Sequence, residues 1–152
     1  MGFNYRITDI QCALGINQLK KLDSFIEKRR ELVEFYNNAL SKRSDLILPV
    51  EKSNVRSSWH LYVIRLNRGV NVEKKRKNIF DHLRKNNIGA QVHYIPLYKH
   101  PFYKKLGYKA GICPEAEDYY KRAISLPLHP RMKKEEAGYV TRTLIQALEK
   151  FN

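Results

Sequence analysis

The chain has 152 residues, 43% of them hydrophobic, which suits one domain with a real core. Its 29 Lys and Arg outnumber 15 Asp and Glu, giving a net charge of +14. No apolar run approaches the ~18 residues of a membrane span, and the start, MGFNYRITD, holds neither the apolar core of a secretion signal nor a myristoylation pattern, since Arg6 stands where Ser or Thr is expected.

Thr8 and Gln11 form a T-x-x-Q capping box ahead of Ile10, Leu14 and Leu19, so a helix is predicted over Thr8–Leu19, with Gly15 its weak point. Cys12 falls in that apolar pattern and is expected to be a buried structural thiol. Ser24 and Glu27 repeat the box. Phe25, Leu32, Phe35, Tyr36 and Leu40 then carry a long helix to about Ser41. Asp45–Pro49 is a short apolar run that Pro49 ends. SSWHLYVIRL, Ser57–Leu66, alternates and is rich in aromatic and β-branched residues, which predicts a strand. Asn71 is placed to cap a third helix whose apolar face is Val72, Ile79, Phe80 and Leu83, and NNIG stops it. Ala90–Ile95 is predicted as a second strand, ended by Pro96. Pro114 opens a further helix, PEAEDYYKRAI; SLPLHP is extended; Lys133–Phe151 is the last helix.

The predicted order is α-α-β-α-β-α-β-α, without repeats. It implies one α/β or α+β layer, a short sheet with helices mostly on one face. Strands separated by helices, as Ser57–Leu66 and Ala90–Ile95 are, could pair in parallel.

The basic excess fits nucleic acid, an acidic membrane surface, a phosphorylated ligand or simply a solvated surface. The runs EKRR and VEKKRKN lie in helical patterns and include Glu, and no nucleic-acid motif accompanies them. No nucleic-acid and no membrane partner is expected. His60, His82, His93, His100 and His129 show no metal-ligand spacing, and Cys12 and Cys113 form no C-x-x-C, so no metal site is expected. The distant cysteines point to reduced thiols in a cytoplasmic setting. Glycine-rich phosphate loops are absent.

Two aromatic-polar stretches remain. GFNYR carries Asn4 and Arg6, both good phosphate partners, just before a capped helix; otherwise it is a frayed tail. GAQVHYIPLYKHPFYKKLGY gathers two His and four Tyr within twenty residues. On a strand, Gln91, His93 and Ile95 share one side and Val92 and Tyr94 the other. Pro96 then forces a turn expected to expose Tyr98, Lys99 and His100. Alternatively Tyr94 and Tyr98 are packing residues and His93 a satisfied sheet histidine.

The block G-x-N-Y-R-x-T-D-x-Q-x-A-x-G-x-x-Q-L, from Gly2 to Leu19, resembles the segment opening the C-terminal region of the DegT/DnrJ/EryC1/StrS sugar-nucleotide aminotransferases. SSWHLYVIRL, NNIGAQVHYIPLYKHPFY, CPEAEDYYKRAISLPLHP and the closing helix are similar to further blocks of that family in the same order, so the resemblance covers essentially the whole chain. VHYIPLYKHPFYKKLGY is especially similar to the subgroup that aminates C4 of a UDP-4-keto-6-deoxy-N-acetylhexosamine in the pseudaminic acid pathway.

The resemblance implies the small C-terminal domain of a fold type I pyridoxal-phosphate enzyme, a homodimer with sites at the subunit interface. It implies that Asn4 and Arg6 reach the phosphate of pyridoxal phosphate in a partner subunit. It places the block at His93, Tyr94 and Pro96 on the sugar-nucleotide side of the site, and Tyr5, with His93, Tyr94 and Tyr98 of that block, is expected to line a wet pocket suited to hydroxyls and imidazoles. Its implied ligands are a UDP-sugar and an amino donor. The family's Schiff-base lysine lies upstream of the G-x-N-Y-R block, and Met1 precedes that block by one residue. Ser24, Phe25 and Lys28 echo the S-F-x-x-x-K lysine motif, but Arg29 holds the lysine's place.

The expectation is therefore a chain that alone binds no cofactor, has no catalytic residue of its own and does not transaminate. Residues 1–22 are expected to link to and pack on a large domain, residues 23–152 to form a compact layer. Exposed Ile10 and Leu14 would favour self-association or docking to a separate large-domain chain. The alternative is a non-catalytic sugar-nucleotide-binding or interaction module that kept the fold.

Overall fold

The computed structural model describes residue 3 and residues 5–151. Helix α1, Asp9–Leu19, starts with the expected capping box: the Thr8 hydroxyl accepts from the Gln11 N–H and the Gln11 side chain accepts from the Thr8 N–H at 2.9 Å. It buries none of its residues; Ile10 is 76% and Leu14 62% exposed. Cys12 is accordingly half-buried rather than buried, because nothing among the described residues covers the helix.

Helix α2, Leu22–Leu40, follows after the two-residue turn Lys20–Lys21. It begins before the second box, so Ser24 lies inside the first turn and caps nothing; Lys21 occupies the cap position without a side-chain bond. Leu32, Val33, Tyr36 and Leu40 form its buried stripe at helical spacing. The Tyr36 and Tyr62 rings meet with centroids 4.9 Å apart, and each hydroxyl finds an acceptor, Pro127 O at 2.8 Å and Asn37 Oδ1 at 2.7 Å. A buried phenol needs such a partner.

The sheet has three strands in the order β1 (Leu46–Ile47), β2 (Tyr62–Leu66), β3 (Ala123–Leu126), all antiparallel. Two expectations change here. The predicted strand Ser57–Leu66 forms only from Tyr62, because Trp59 adopts φ +47°, outside the β region, and the Ser57 carbonyl and N–H are taken by Arg30 and Glu51. The predicted strand Ala90–Ile95 reduces to one antiparallel bridge, Gln91↔Ser125, after which the chain turns away from β3. No parallel pairing occurs among the described strands.

Helix α3, Val72–Lys85, packs against α6, Lys134–Lys150, which also packs against α2. Asn71 sits at the cap position of α3 but in a left-handed conformation, and its side chain makes no capping bond. Tyr62, Ile64 and Leu66 of β2 are buried toward the core. Val63 and Arg65 point the other way, where the Arg65 guanidinium lies 5.9 Å from the Tyr119 ring of α5, Pro114–Arg122. Between α3 and α5 the chain forms one 3₁₀ turn, Leu97–Lys99, and a short helix α4, Pro101–Lys105, which the sequence pattern did not announce.

Candidate functional site

The sequence-predicted site residues fall in two places, the N-terminal segment and the aromatic block. Phe3 and Tyr5 stack with centroids 5.7 Å apart, both strongly exposed. Arg6 is exposed beside them, and Asn4 lies outside the described residues. Along the described chain no residue before Leu32 is buried, so this segment is not folded into the layer.

The aromatic block hangs on β3. Ser125 pairs with Val63 and so faces the Val63 side of the sheet. Gln91 pairs with Ser125, its N–H donating at 3.0 Å and its carbonyl accepting at 2.8 Å. Two residues on, His93 returns to the same side and brings Nδ1 to 2.8 Å from the Ser125 hydroxyl. The His93 and Tyr94 rings meet edge to face at 4.5 Å, and Tyr94 is 73% exposed.

Tyr98 and Lys99 depart from expectation. They are half-buried rather than thrown outward, and only His100 is exposed. The cause is Glu117, in the first turn of α5. Its carboxylate accepts from the Gly111 N–H at 2.6 Å and from the Tyr98 hydroxyl at 3.0 Å, and pairs with Lys99 Nζ at 2.9 Å. The Gly111 N–H above all, then Lys99 and Tyr98, hold the Glu117 carboxyl down at about 2 against the cost of burial. Burial and the Glu117 carboxylate push the Tyr98 phenol up. The Tyr98 hydroxyl also lies 3.1 Å from Cys113 O. Gly111 adopts φ +91°, a conformation glycine takes without strain, and this lets its N–H point at the carboxylate.

His93 and Tyr94 are thus brought together, and Tyr98 is turned to hold its own loop. Glu117 and Ser125 are the residues sequence reasoning missed. An acid in the first turn of a proline-started helix is ordinary, and nothing local links Glu117 to Gly111 or Ser125 to His93.

This knot predicts a pH dependence. The folded-state carboxyl of Glu117 lies below its unfolded value, so its contribution is complete above pH ~4.5 and is lost as pH falls toward ~2. The protection of the Gly111 amide, taken against the unfolded-chain exchange rate at the same pH, is expected to fall over that interval while the core amides of β2 stay protected. Loss of protection at Gly111 together with β2 would show instead that the loop has no separate anchor.

Among the described residues no group of three or more His, Cys, Asp or Glu could hold a metal ion, and no helix is long and apolar enough to cross a membrane.

The sequence matches the DegT/DnrJ/EryC1/StrS aminotransferase family over residues 1–145. The chain belongs to this family. It is 41% identical over 150 residues to the UDP-4-amino-4,6-dideoxy-N-acetyl-beta-L-altrosamine transaminase of Campylobacter jejuni, covering 99% of this chain and 39% of that protein. Its fold superposes on Helicobacter pylori PseC, an aminotransferase involved in the biosynthesis of pseudoaminic acid, with a TM-score of 0.89 and 32% identity over 99% of this chain and 40% of the other. The putative sugar aminotransferase Spr1654 of Streptococcus pneumoniae, in its PMP form, gives 0.89 and 32% over 97% and 36%. The chain spans 35–39% of the length of the first curated relatives it matches.

The family depends on pyridoxal phosphate, and the Streptococcus enzyme is also known in its PLP form. The described residues do not by themselves fit that cofactor. A Schiff-base lysine must be desolvated and aimed, yet no lysine here is buried, and half-buried Lys99 is paired with Glu117. Phe3, Tyr5 and Arg6 form an open edge rather than an enclosure.

Proposed function

We propose that this chain supplies the C-terminal part of an aminotransferase acting at C4 of a UDP-4-keto-6-deoxy-N-acetylhexosamine, in surface-polysaccharide or pseudaminic acid synthesis in the cytoplasm. The observation that carries this reading is the likeness to PseC, which extends over 99% of the chain together with the G-x-N-Y-R block. In this reading residues 1–22 link to a large domain and lay the bare apolar face of α1 on it, and residues 23–152 are the compact layer. Support for the division comes from α1, which buries nothing, and from Leu32, where burial begins.

Asn4 and Arg6 would hold the cofactor phosphate of a partner subunit, and Tyr5, His93 and Tyr94 would face the sugar nucleotide. Tyr98 would frame that face through Glu117 rather than offer a free hydroxyl. Bound in the complete site, pyridoxal phosphate supplies the electron sink for moving an amino group. The residues of this chain bind and orient. The complete site needs a lysine-bearing large domain, reached as a homodimer or through a separate chain, together with the UDP-sugar and an amino donor.

The test is a graft. These 152 residues replace the matching region of the Campylobacter transaminase, and the chimera is assayed on keto-sugar and amino donor. It is expected to aminate, and Arg6→Ala in the chimera to weaken cofactor retention about tenfold or more, the loss of one charge-assisted bond. A folded chimera that retains cofactor but never aminates would favour a second reading, a non-catalytic sugar-nucleotide-binding or interaction module. That reading draws on the absence of any buried lysine among the described residues.

A further inference from the structure

We propose that Ser125 is a positioning residue that fixes His93 as a hydrogen-bond donor toward the ligand side rather than as a proton acceptor. Ser125 is 3% exposed, its backbone N–H and carbonyl are both bonded to Gln91, and it lies opposite Val63 within the sheet. Its hydroxyl therefore has a fixed origin. Among the described residues that hydroxyl has one hydrogen-bond partner, His93 Nδ1 at 2.8 Å.

A buried hydroxyl carries one hydrogen that must find an acceptor. If Nδ1 bore the ring proton and donated it, the serine hydrogen would be left buried with nowhere to go. If serine donates, its hydrogen is satisfied by the Nδ1 lone pair, and the neutral ring carries its proton on Nε2. The second arrangement leaves no orphan. Tyr94 braces the same ring edge to face at 4.5 Å, so both the tautomer and the orientation of His93 are set by neighbours.

The outward atom is then an Nε2–H, which seeks an oxygen acceptor: a hydroxyl, carbonyl or phosphate oxygen. On the aminotransferase reading above, that oxygen belongs to the sugar nucleotide. A ring held this way has no lone pair on Nε2 with which to take a proton from substrate. His93 binds and orients, and proton transfer falls to another group.

Ring nitrogen resonances of the ¹⁵N-labelled chain, recorded at about pH 8.5, above the ordinary imidazole range, read this directly. The expected pattern for His93 is a single neutral form, protonated at Nε2, with Nδ1 displaced toward hydrogen-bonded values. Ser125→Ala is expected to lose that displacement while the backbone spectrum of the sheet persists. Protonation at Nδ1 in the wild-type chain would overturn the proposal, as would an Nδ1 resonance that Ser125→Ala leaves unmoved. Should Ser125→Ala fail to fold, the wild-type tautomer still decides. The graft described above tests the aminotransferase reading separately, so each can fail without the other.

Discussion

A polypeptide of these 152 residues, given pyridoxal phosphate, keto-sugar and amino donor, is expected to turn over at least about 10⁴-fold more slowly than the grafted chimera. The figure is the upper range for one positioned acid–base group, and a Schiff-base lysine also forms the covalent link, so the true ratio should be larger. The basic side chains here do not substitute. None of the lysines is buried, and Lys99, half-buried on the edge of the aromatic block, is paired with Glu117 at 2.9 Å. A Schiff-base lysine must be desolvated and aimed at its carbonyl, which none of these side chains is. Comparable rates from the polypeptide and the chimera would contradict this.

The second large effect lies where α5 meets the sheet. Arg122 is 4% exposed, donates to Leu66 O at 3.0 Å and pairs with Asp118, which also takes a bond from Arg68 at 3.1 Å. Its Nε has no hydrogen-bond partner among the described residues, so the pair with Asp118 and the Leu66 carbonyl are what make the burial of this charge tolerable. Asp118→Ala strands the guanidinium and is expected to cost about 2–3 kcal/mol of unfolding free energy in urea. Arg122→Met removes the buried charge, keeps most of the packing and leaves Asp118 paired with Arg68. It should cost less, about 1 kcal/mol. Equal losses would mean that the pair acts through packing and not through charge.

Acid should imitate Asp118→Ala. Arg122 first, and Arg68 after it, hold the Asp118 carboxyl below the usual carboxylate range against the cost of burial. Its contribution is therefore present above pH ~4 and is lost as pH falls through the lowered folded value.

How much of this was legible in the sequence follows from which forces are local. The Thr8–Gln11 box marked the true start of α1 because all its partners lie within three residues. The same pattern at Ser24 and Glu27 misled, since α2 had already begun at Leu22 after a two-residue turn. Alternation in GAQVHYI resembles a strand, but β3 offers this segment a bridge only at Ser125. Strand direction is not written in alternation at all, so the antiparallel order had to come from the fold. The candidate site divides in the same way. That His93 and Tyr94 sit together is local. That Ser125 fixes His93 from 32 positions away, and that Glu117 claims Tyr98 and Lys99, depends on α5 and β3 being set beside the block.

In the function proposed above, the bare face of α1 docks this layer onto the region that supplies the lysine. The most direct measurement is reductive labelling. The purified 152-residue chain is incubated with pyridoxal phosphate, reduced with borohydride, and searched by peptide mass for a modified lysine. The expected result is no lysine labelled stoichiometrically and no aldimine band before reduction. One lysine labelled in full, with that band present, would mean that these residues build a cofactor site of their own, and would contradict it.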